Sequence, residues 1–214
     1  MRRYITVITI MLSVALVSSA AWPHCLEGVD DDALEDMTPE QISQLCSEGL
    51  LLIGDVKGAN SENFVQSLLI FQQSRDEVYQ LLCATERQIE YLPRLISATV
   101  VERDHDSDTI EFYVGASIFK FRYRVDHEYD RDDYVLKWDL DDDYDNEVRK
   151  VSGSYKLYEL PGDRTFARYA TVFSISGAIP QSIQNALAKG DMPEALASLK
   201  KWVDSGGVWR RPKN

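Results

Sequence analysis

The stretch QSRDEVYQLLCATERQIEYLP, Gln73 to Pro93, carries two helix starts in succession between two strand-like runs. Ser74 with Glu77 three residues later forms a capping box: the hydroxyl accepts from the backbone N–H of residue 77, and the carboxylate reaches back to residue 74. Asp76 and Glu77 also suit the positive end of a helix dipole. Val78, Leu81, Leu82 and Thr85 share one helical face. Thr85 with Gln88 repeats the box, so the chain re-caps and starts a second short helix with Ile89 and Leu92 as its apolar face. Pro93 drives Leu92 out of helical geometry and ends it.

Outside this stretch the periodicity changes. Phe64 to Gln73 is strand-like. From Leu95 onward the period is two. Ala98 to Arg103 is a strand, and Asp104 to Asp108 a turn. Ile110, Phe112 and Val114 alternate with Glu111 and Tyr113. Phe119, Phe121, Tyr123 and Val125 alternate with Lys120, Arg122 and Arg124. Tyr134, Leu136, Trp138 and Leu140 alternate with Val135, Lys137 and Asp139. Val148 to Leu160 and Thr165 to Ile175 are two longer runs joined by Pro161-Gly162-Asp163. Such alternation predicts an antiparallel meander with one covered face and one wet face. The chain closes in a broken helix. Ile179-Pro180 starts it, with Ile183 and Leu187 on its face, and Asp191 to Glu194 restarts it. Leu196, Leu199 and Val203 carry the stripe to Gly206. The order predicts an α+β fold: a curved seven-stranded antiparallel sheet wrapped on the long C-terminal helix, with two short helices after the first strand.

The N-terminus reads as a signal peptide over residues 1–21. Arg2 and Arg3 precede a short apolar run, Ile5 to Val17, and the small residues Ser18 to Ala21 offer a cleavage site. Pro23-His24 before Cys25 does not resemble a lipoprotein site. The expected location is therefore periplasmic or secreted, with no stable membrane span after cleavage. Residues 22–48 read as an acidic arm with one short helix, started by the capping box and N1 proline of Thr38-Pro39-Glu40-Gln41. Residues 49–206 form the main domain. Residues 207–214 are a basic tail, read as a solvated frayed end.

The 214-residue chain has a formal charge of −12. Like-charge repulsion excludes nucleic acid and anionic membrane surfaces as natural partners. An oxidising compartment allows three cysteines one disulfide. Cys25–Cys46 is favoured because it tethers the arm, and Cys83 is left as a buried free thiol. No metal site or cofactor is implied: there is no Cys-x-x-Cys, and there are three histidines. Asp141, Asp143 and Asp145 have calcium-loop spacing, but Asn146 and Ser152 stand where such a loop needs Gly and Glu, so the run reads as a hairpin loop. Lys120, Arg122 and Arg124 form a basic stripe expected to pair with acidic neighbours across the sheet. His24 belongs to the arm, and His105 and His127 read as solvated turn residues. Inward strand positions offer almost no carboxylate or histidine, which weighs against catalysis.

The element order resembles the SRPBCC superfamily, the helix-grip fold of START-like lipid-transfer, polyketide-cyclase and coenzyme-Q-binding proteins. Ser47-Glu48-Gly49-Leu50 looks like the lead-in to the first strand of its bacterial branch. Ser74 to Leu82 resembles the strand-to-helix corner, and Ile89 to Leu95 the second-helix exit. Pro180 and the Gly190-to-Pro193 break resemble the two-part final helix. The likeness spans about Glu48 to Gly206. It implies a cavity between sheet and final helix that takes an apolar ligand. The large residues of the inward face are its expected lining: Phe112, Phe119, Phe121, Tyr123, Tyr134, Trp138, Tyr155, Tyr169 and Phe173. Val78, Leu82, Ile89 and Leu92 are expected at its mouth.

Three functions suit this reading. The first is a binding module that takes up a lipid or other apolar small molecule for carriage or sensing. The second is a polyketide-cyclase-type enzyme acting on a bound aromatic or acyl substrate. The third is an assembly domain whose cavity is packed shut. Oligomeric state is left open.

Overall fold

The computed structural model describes residues 24–30, 33–34, 36–57, 63–116, 119–175 and 191–212. The signal segment and the helix predicted around Ile179, Ile183 and Leu187 lie outside them. Eight strands form one antiparallel sheet: β1 (Leu50–Lys57), β2 (Asn63–Phe71), β3 (Leu95–Arg103), β4 (Ser107–Ala116), β5 (Phe119–Asp130), β6 (Val135–Leu140), β7 (Val148–Leu160) and β8 (Arg164–Ile175). Their order is β1-β2-β8-β7-β6-β5-β4-β3. Among the described residues the α-helices are α1 (Pro39–Glu48), α2 (Arg75–Cys83) and α3 (Met192–Asp204), and His24–Leu26 and Thr85–Glu90 are 3-10 helices.

The sheet has one strand more than the seven expected, so the two short helices follow the second strand rather than the first. The added strand begins at a helix cap. Gly49 ends α1 in the left-handed conformation, φ 69°, and its N–H donates to the Leu45 carbonyl. The chain leaves that turn directly into β1, where Leu50 pairs with Leu69. The apolar signal of β1 is short because a bulge between Leu52 and Gly54 interrupts its alternation.

Strand β2 reads Leu68-Leu69-Ile70-Phe71 because it is covered on both faces. Leu69 and Phe71 join Val78, Leu157, Ala167, Leu196, Leu199 and Trp202 in the inner core. Leu68 and Ile70 face the other way, into a second core built by the N-terminal arm: Leu26, Val29, Leu34, Met37, Ile42 and Leu45 pack on Leu51, Leu160 and Phe166. The expected wet face is therefore dry at this end of the sheet. The acidic arm is also more than a solvated extension, because its apolar residues sit between its carboxylates and find the sheet. Cys25 and Cys46 are disulfide-bonded within this layer, with Cα atoms 5.7 Å apart. Arg168 of β8 ties it down, donating to the Ala33 carbonyl and to Asp36. The predicted charge pairing on the wet face occurs where Arg124 meets its cross-strand neighbour Glu111 at 3.2 Å.

Helix α3 lies against the inner core through Leu196, Leu199, Trp202 and Val203. Burying each such side chain contributes about 1.5–3 kcal/mol. Trp202 donates its indole N–H to Glu90 at 2.7 Å. Glu90 also receives Arg87 and Arg210, at 3.0 and 3.1 Å. Arg211 pairs with Glu194, and Trp209 packs on the inner core. The basic tail is thus docked through Gly207, Trp209, Arg210 and Arg211, correcting the reading of a frayed end. Charge complementarity with Glu90 and Glu194 holds it.

Candidate ligand cavity and its polar wall

Both capping boxes at Thr38 and Ser74 form, with each hydroxyl and each third-residue side chain engaged. The box expected at Thr85 does not. Ala84, not Thr85, precedes the 3-10 turn, and no side chain caps it. Thr85 turns inward and donates its hydroxyl to Asp108 at 2.8 Å. Asp191 likewise makes no cap; its carboxylate takes Arg94 instead. In both places a tertiary partner outcompetes the local hydrogen bond; at Thr85 the reason is that the buried Asp108 carboxylate left unpaired costs more than a missing cap.

A cavity of about 250 Å³ opens between the inner face of the sheet, the Leu82–Pro93 segment and the start of α3. Seven of the nine aromatic residues assigned to it line it: Phe112, Phe121, Tyr123, Trp138, Tyr155, Tyr169 and Phe173. Trp138, Tyr155 and Tyr169 form a mutual cluster with ring centroids 4.8–5.8 Å apart, within the range of favourable edge and offset contacts. Phe119 and Tyr134 are not in the wall. Tyr134 precedes β6 in a left-handed conformation, φ 51°. It donates its hydroxyl to Asp76, with the Arg75 guanidinium over its ring. At the expected mouth, Leu82 and Leu92 line the cavity. Val78 instead fills the core behind it, and Ile89 faces outward, 46% exposed.

The polar part of the wall is where the sequence reading departs most from the structure. His127 is not a solvated turn residue. It sits within β5, buried, beside the cavity. Its ring stacks near Tyr129 and Trp138. Its Nδ1 lies 3.0 Å from Asp108 Oδ1 on the neighbouring strand. The N–H direction is off the line between the atoms, so this is a close polar contact rather than a straight hydrogen bond. Asp108 Oδ2 accepts from Thr85 and, at 2.9 Å, from Arg103, which also pairs with Glu86 at 2.6 Å. Burial pushes the Asp108 carboxyl up, but His127, Arg103 and Thr85 together outweigh it and hold the group below the usual carboxylate range. Inward positions therefore do carry a titratable pair, contrary to the expectation that weighed against catalysis. The signal was present in the alternation: β5 runs Phe121, Tyr123, Val125 and His127 on one face. The acidic neighbours of His127 suggested a turn, yet β5 extends to Asp130.

Desolvation raises the hydroxyl pKa of Tyr123, Tyr155 and Tyr169, the last to about 12, so these groups stay neutral donors. His105 is exposed in its turn. Cys83 ends α2 as a free thiol, pushed up to about 12 chiefly by burial. Among the described residues no three His, Cys, Asp or Glu side chains gather to hold a metal. No described helix is long and apolar enough to cross a membrane.

No family model matches the chain, and no curated protein matches it by sequence. Solved structures do match in fold. A STAR-related lipid transfer protein from Xanthomonas axonopodis aligns with TM-score 0.57 and 13% identity over 73% of this chain and 99% of its own. Protein TTHA0849 from Thermus thermophilus aligns with TM-score 0.56 and 18% identity over 68% of this chain and 97% of its own. The Zhui aromatase/cyclase from Streptomyces sp. R1128 aligns with TM-score 0.52 and 15% identity over 69% of this chain and 99% of its own. An antiparallel sheet closed by a C-terminal helix over an internal cavity, aligned with nearly the full length of these structures, shows that the chain shares their fold.

Proposed function

We propose that this protein is an exported binding module that takes a lipid or other apolar small molecule into the cavity, for carriage or sensing. The observation that carries the reading is the cavity itself. Aromatic and aliphatic side chains make up most of its wall, and a pocket with few convergent polar groups is the default ligand site in such a shape. The cysteine pair and the N-terminal apolar segment support export. The START-like fold supports ligand uptake, and one structure of that fold is a lipid transfer protein. Native mass spectrometry of the purified mature chain tests the reading: a co-purifying apolar molecule, or saturable binding of a fluorescent apolar probe, is expected. A protein that carries nothing and binds no such probe would refute it.

His127 beside Asp108 favours one second reading, acid–base chemistry on the bound molecule. Under it, the co-purified ligand changes mass on incubation with the wild type and not with His127→Phe. An unchanged ligand in both counts against it.

A further inference from the structure

Few polar groups face the cavity, and most are already engaged. Thr85 donates to Asp108, Thr171 donates to the Ser152 carbonyl, Asp191 is held by Arg94, and His127 faces Asp108. Gln88 offers both a donor and an acceptor and so selects neither. Four tyrosines remain: Tyr91 after the 3-10 helix, Tyr123 of β5, Tyr155 of β7 and Tyr169 of β8. Burial is the largest influence on each hydroxyl. At Tyr91, Tyr123 and Tyr155 no hydrogen bond to a described group relieves it, and the next influence on all three is repulsion from Tyr169. The four hydroxyls thus share one neighbourhood. Tyr169 has Thr171 beside it, but that threonine's proton goes to Ser152. Unlike the hydroxyls of Tyr79 and Tyr129, which are sealed in the core, these open onto the cavity.

A hydroxyl proton in an apolar cavity is costly unless an acceptor meets it. We propose that Tyr91, Tyr123, Tyr155 and Tyr169 form a donor array that recognises a carbonyl oxygen on an otherwise apolar ligand. This rests on the proposed ligand-binding role and names the ligand's polar group. Three features select a neutral acceptor. First, the tyrosine protons lack partners, and a carbonyl oxygen brings two lone pairs and no proton of its own, so it can take two of these donors at once. Second, no lysine or arginine lines the cavity among the described residues, whereas the Asp191 carboxylate does. A ligand carboxylate would therefore be buried with no free countercharge. Third, a ligand hydroxyl would add a donor to a wall already supplied with them, since the Trp138 indole can only donate. The array is held in place by its own packing: Trp138, Tyr155 and Tyr169 lie with ring centroids 4.8–5.8 Å apart, and Tyr123 packs on Phe112 at 5.4 Å. Fixed rings present their hydroxyls without a further ordering cost on binding.

The test uses three probes of one shape: 2-acetylnaphthalene, 2-isopropenylnaphthalene, in which CH₂ replaces the ketone oxygen, and 2-naphthoate. Each displaces the fluorescent apolar probe N-phenyl-1-naphthylamine from the full mature protein. Wild type should bind the ketone roughly tenfold more tightly than the alkene, the scale of one buried hydrogen bond, and 2-naphthoate more weakly than the ketone. A variant carrying Tyr91→Phe, Tyr123→Phe, Tyr155→Phe and Tyr169→Phe keeps every ring and loses only the hydroxyls. It should bring the ketone-to-alkene ratio near one while keeping alkene affinity within about threefold, which also shows that the cavity survives. In wild type, the carbonyl stretch of the bound ketone should lie below its value in cyclohexane, a readout independent of any variant's folding. Equal binding of ketone and alkene in wild type, with the stretch at its cyclohexane value, overturns the carbonyl proposal and leaves the binding module standing. A ketone preference that persists in the fourfold variant overturns the tyrosine array. Tighter binding of 2-naphthoate overturns the carbonyl in favour of an anion. Failure of N-phenyl-1-naphthylamine and all three probes to bind overturns both the array and the binding module.

Discussion

Gly153 lies directly across the sheet from Trp138, and the indole occupies the space that a side chain at 153 would need. A Cβ there would collide with the Trp138 ring and with the Ala170 carbonyl. The glycine is therefore the seat of the cavity's central aromatic residue. Gly153→Ala should displace Trp138 and destabilise the protein by about 1–3 kcal/mol, the cost of overpacking. Urea midpoints would show the loss, and apolar-probe affinity should fall with it. A variant with wild-type midpoint and affinity would contradict this account.

Asp108 holds Thr85, Arg103 and His127 around one buried carboxylate. Asp108→Ala strands those partners and should cost about 3 kcal/mol, the low end for breaking a buried pair, because Arg103 is 40% exposed. The pH dependence follows from the direction of its shift. The folded carboxyl titrates below the unfolded one, so its stabilisation is complete above about pH 4. It is lost as pH falls through the folded value. Between about pH 5 and 2.5 the urea midpoint of Asp108→Asn should decline less steeply than that of wild type. Parallel slopes would show that Asp108 carries none of the acid sensitivity.

Cys83 should be inert in the folded protein. Its thiol is pushed up to about 12, mainly by burial, and the thiolate is the reactive form. Iodoacetamide at about pH 8 should leave Cys83 unmodified over the time in which it alkylates the urea-unfolded chain completely, as read by intact mass. Rapid modification of the native protein would contradict the placement.

The Cys25–Cys46 bridge closes a 21-residue separation and staples the arm to the outer face of β2 and β8. Reduction, or Cys46→Ser, should cost about 3 kcal/mol. It should also raise hydrogen exchange first in residues 24–30 and at Leu68 and Ile70, which that layer covers. Uniform destabilisation with no local exchange would place the arm outside the cooperative core.

Local grammar carried much of the architecture. Two capping boxes, at Thr38 and Ser74, and the period-two alternation from Ile110 to Ile175 are readable from near neighbours, because each is closed by contacts within a few residues. The inward aromatic residues were legible for the same reason: alternation puts Phe112, Phe121 and Tyr123 on one face. What failed were places where local and distant partners compete. Thr85 has the spacing of a cap but is taken by Asp108. Tyr134 continues the alternation of β6 but sits outside the strand, bound to Asp76. Leu26, Val29 and Leu34 are scattered through an acidic segment, and only the packed structure shows that they meet Leu68, Ile70 and Phe166.

By itself, then, the sequence determined the class of fold, the strand meander, the sites of two helix starts and the apolar character of the inner face. Tertiary structure alone decided that the second face is partly covered, that the basic tail docks on Glu90 and Glu194, and that His127 meets Asp108 beside the cavity. The physical reason is the same in each case. Periodicity encodes which way a side chain points, whereas burial of a charge depends on partners brought together from separate strands and helices, and no spacing within one segment records them.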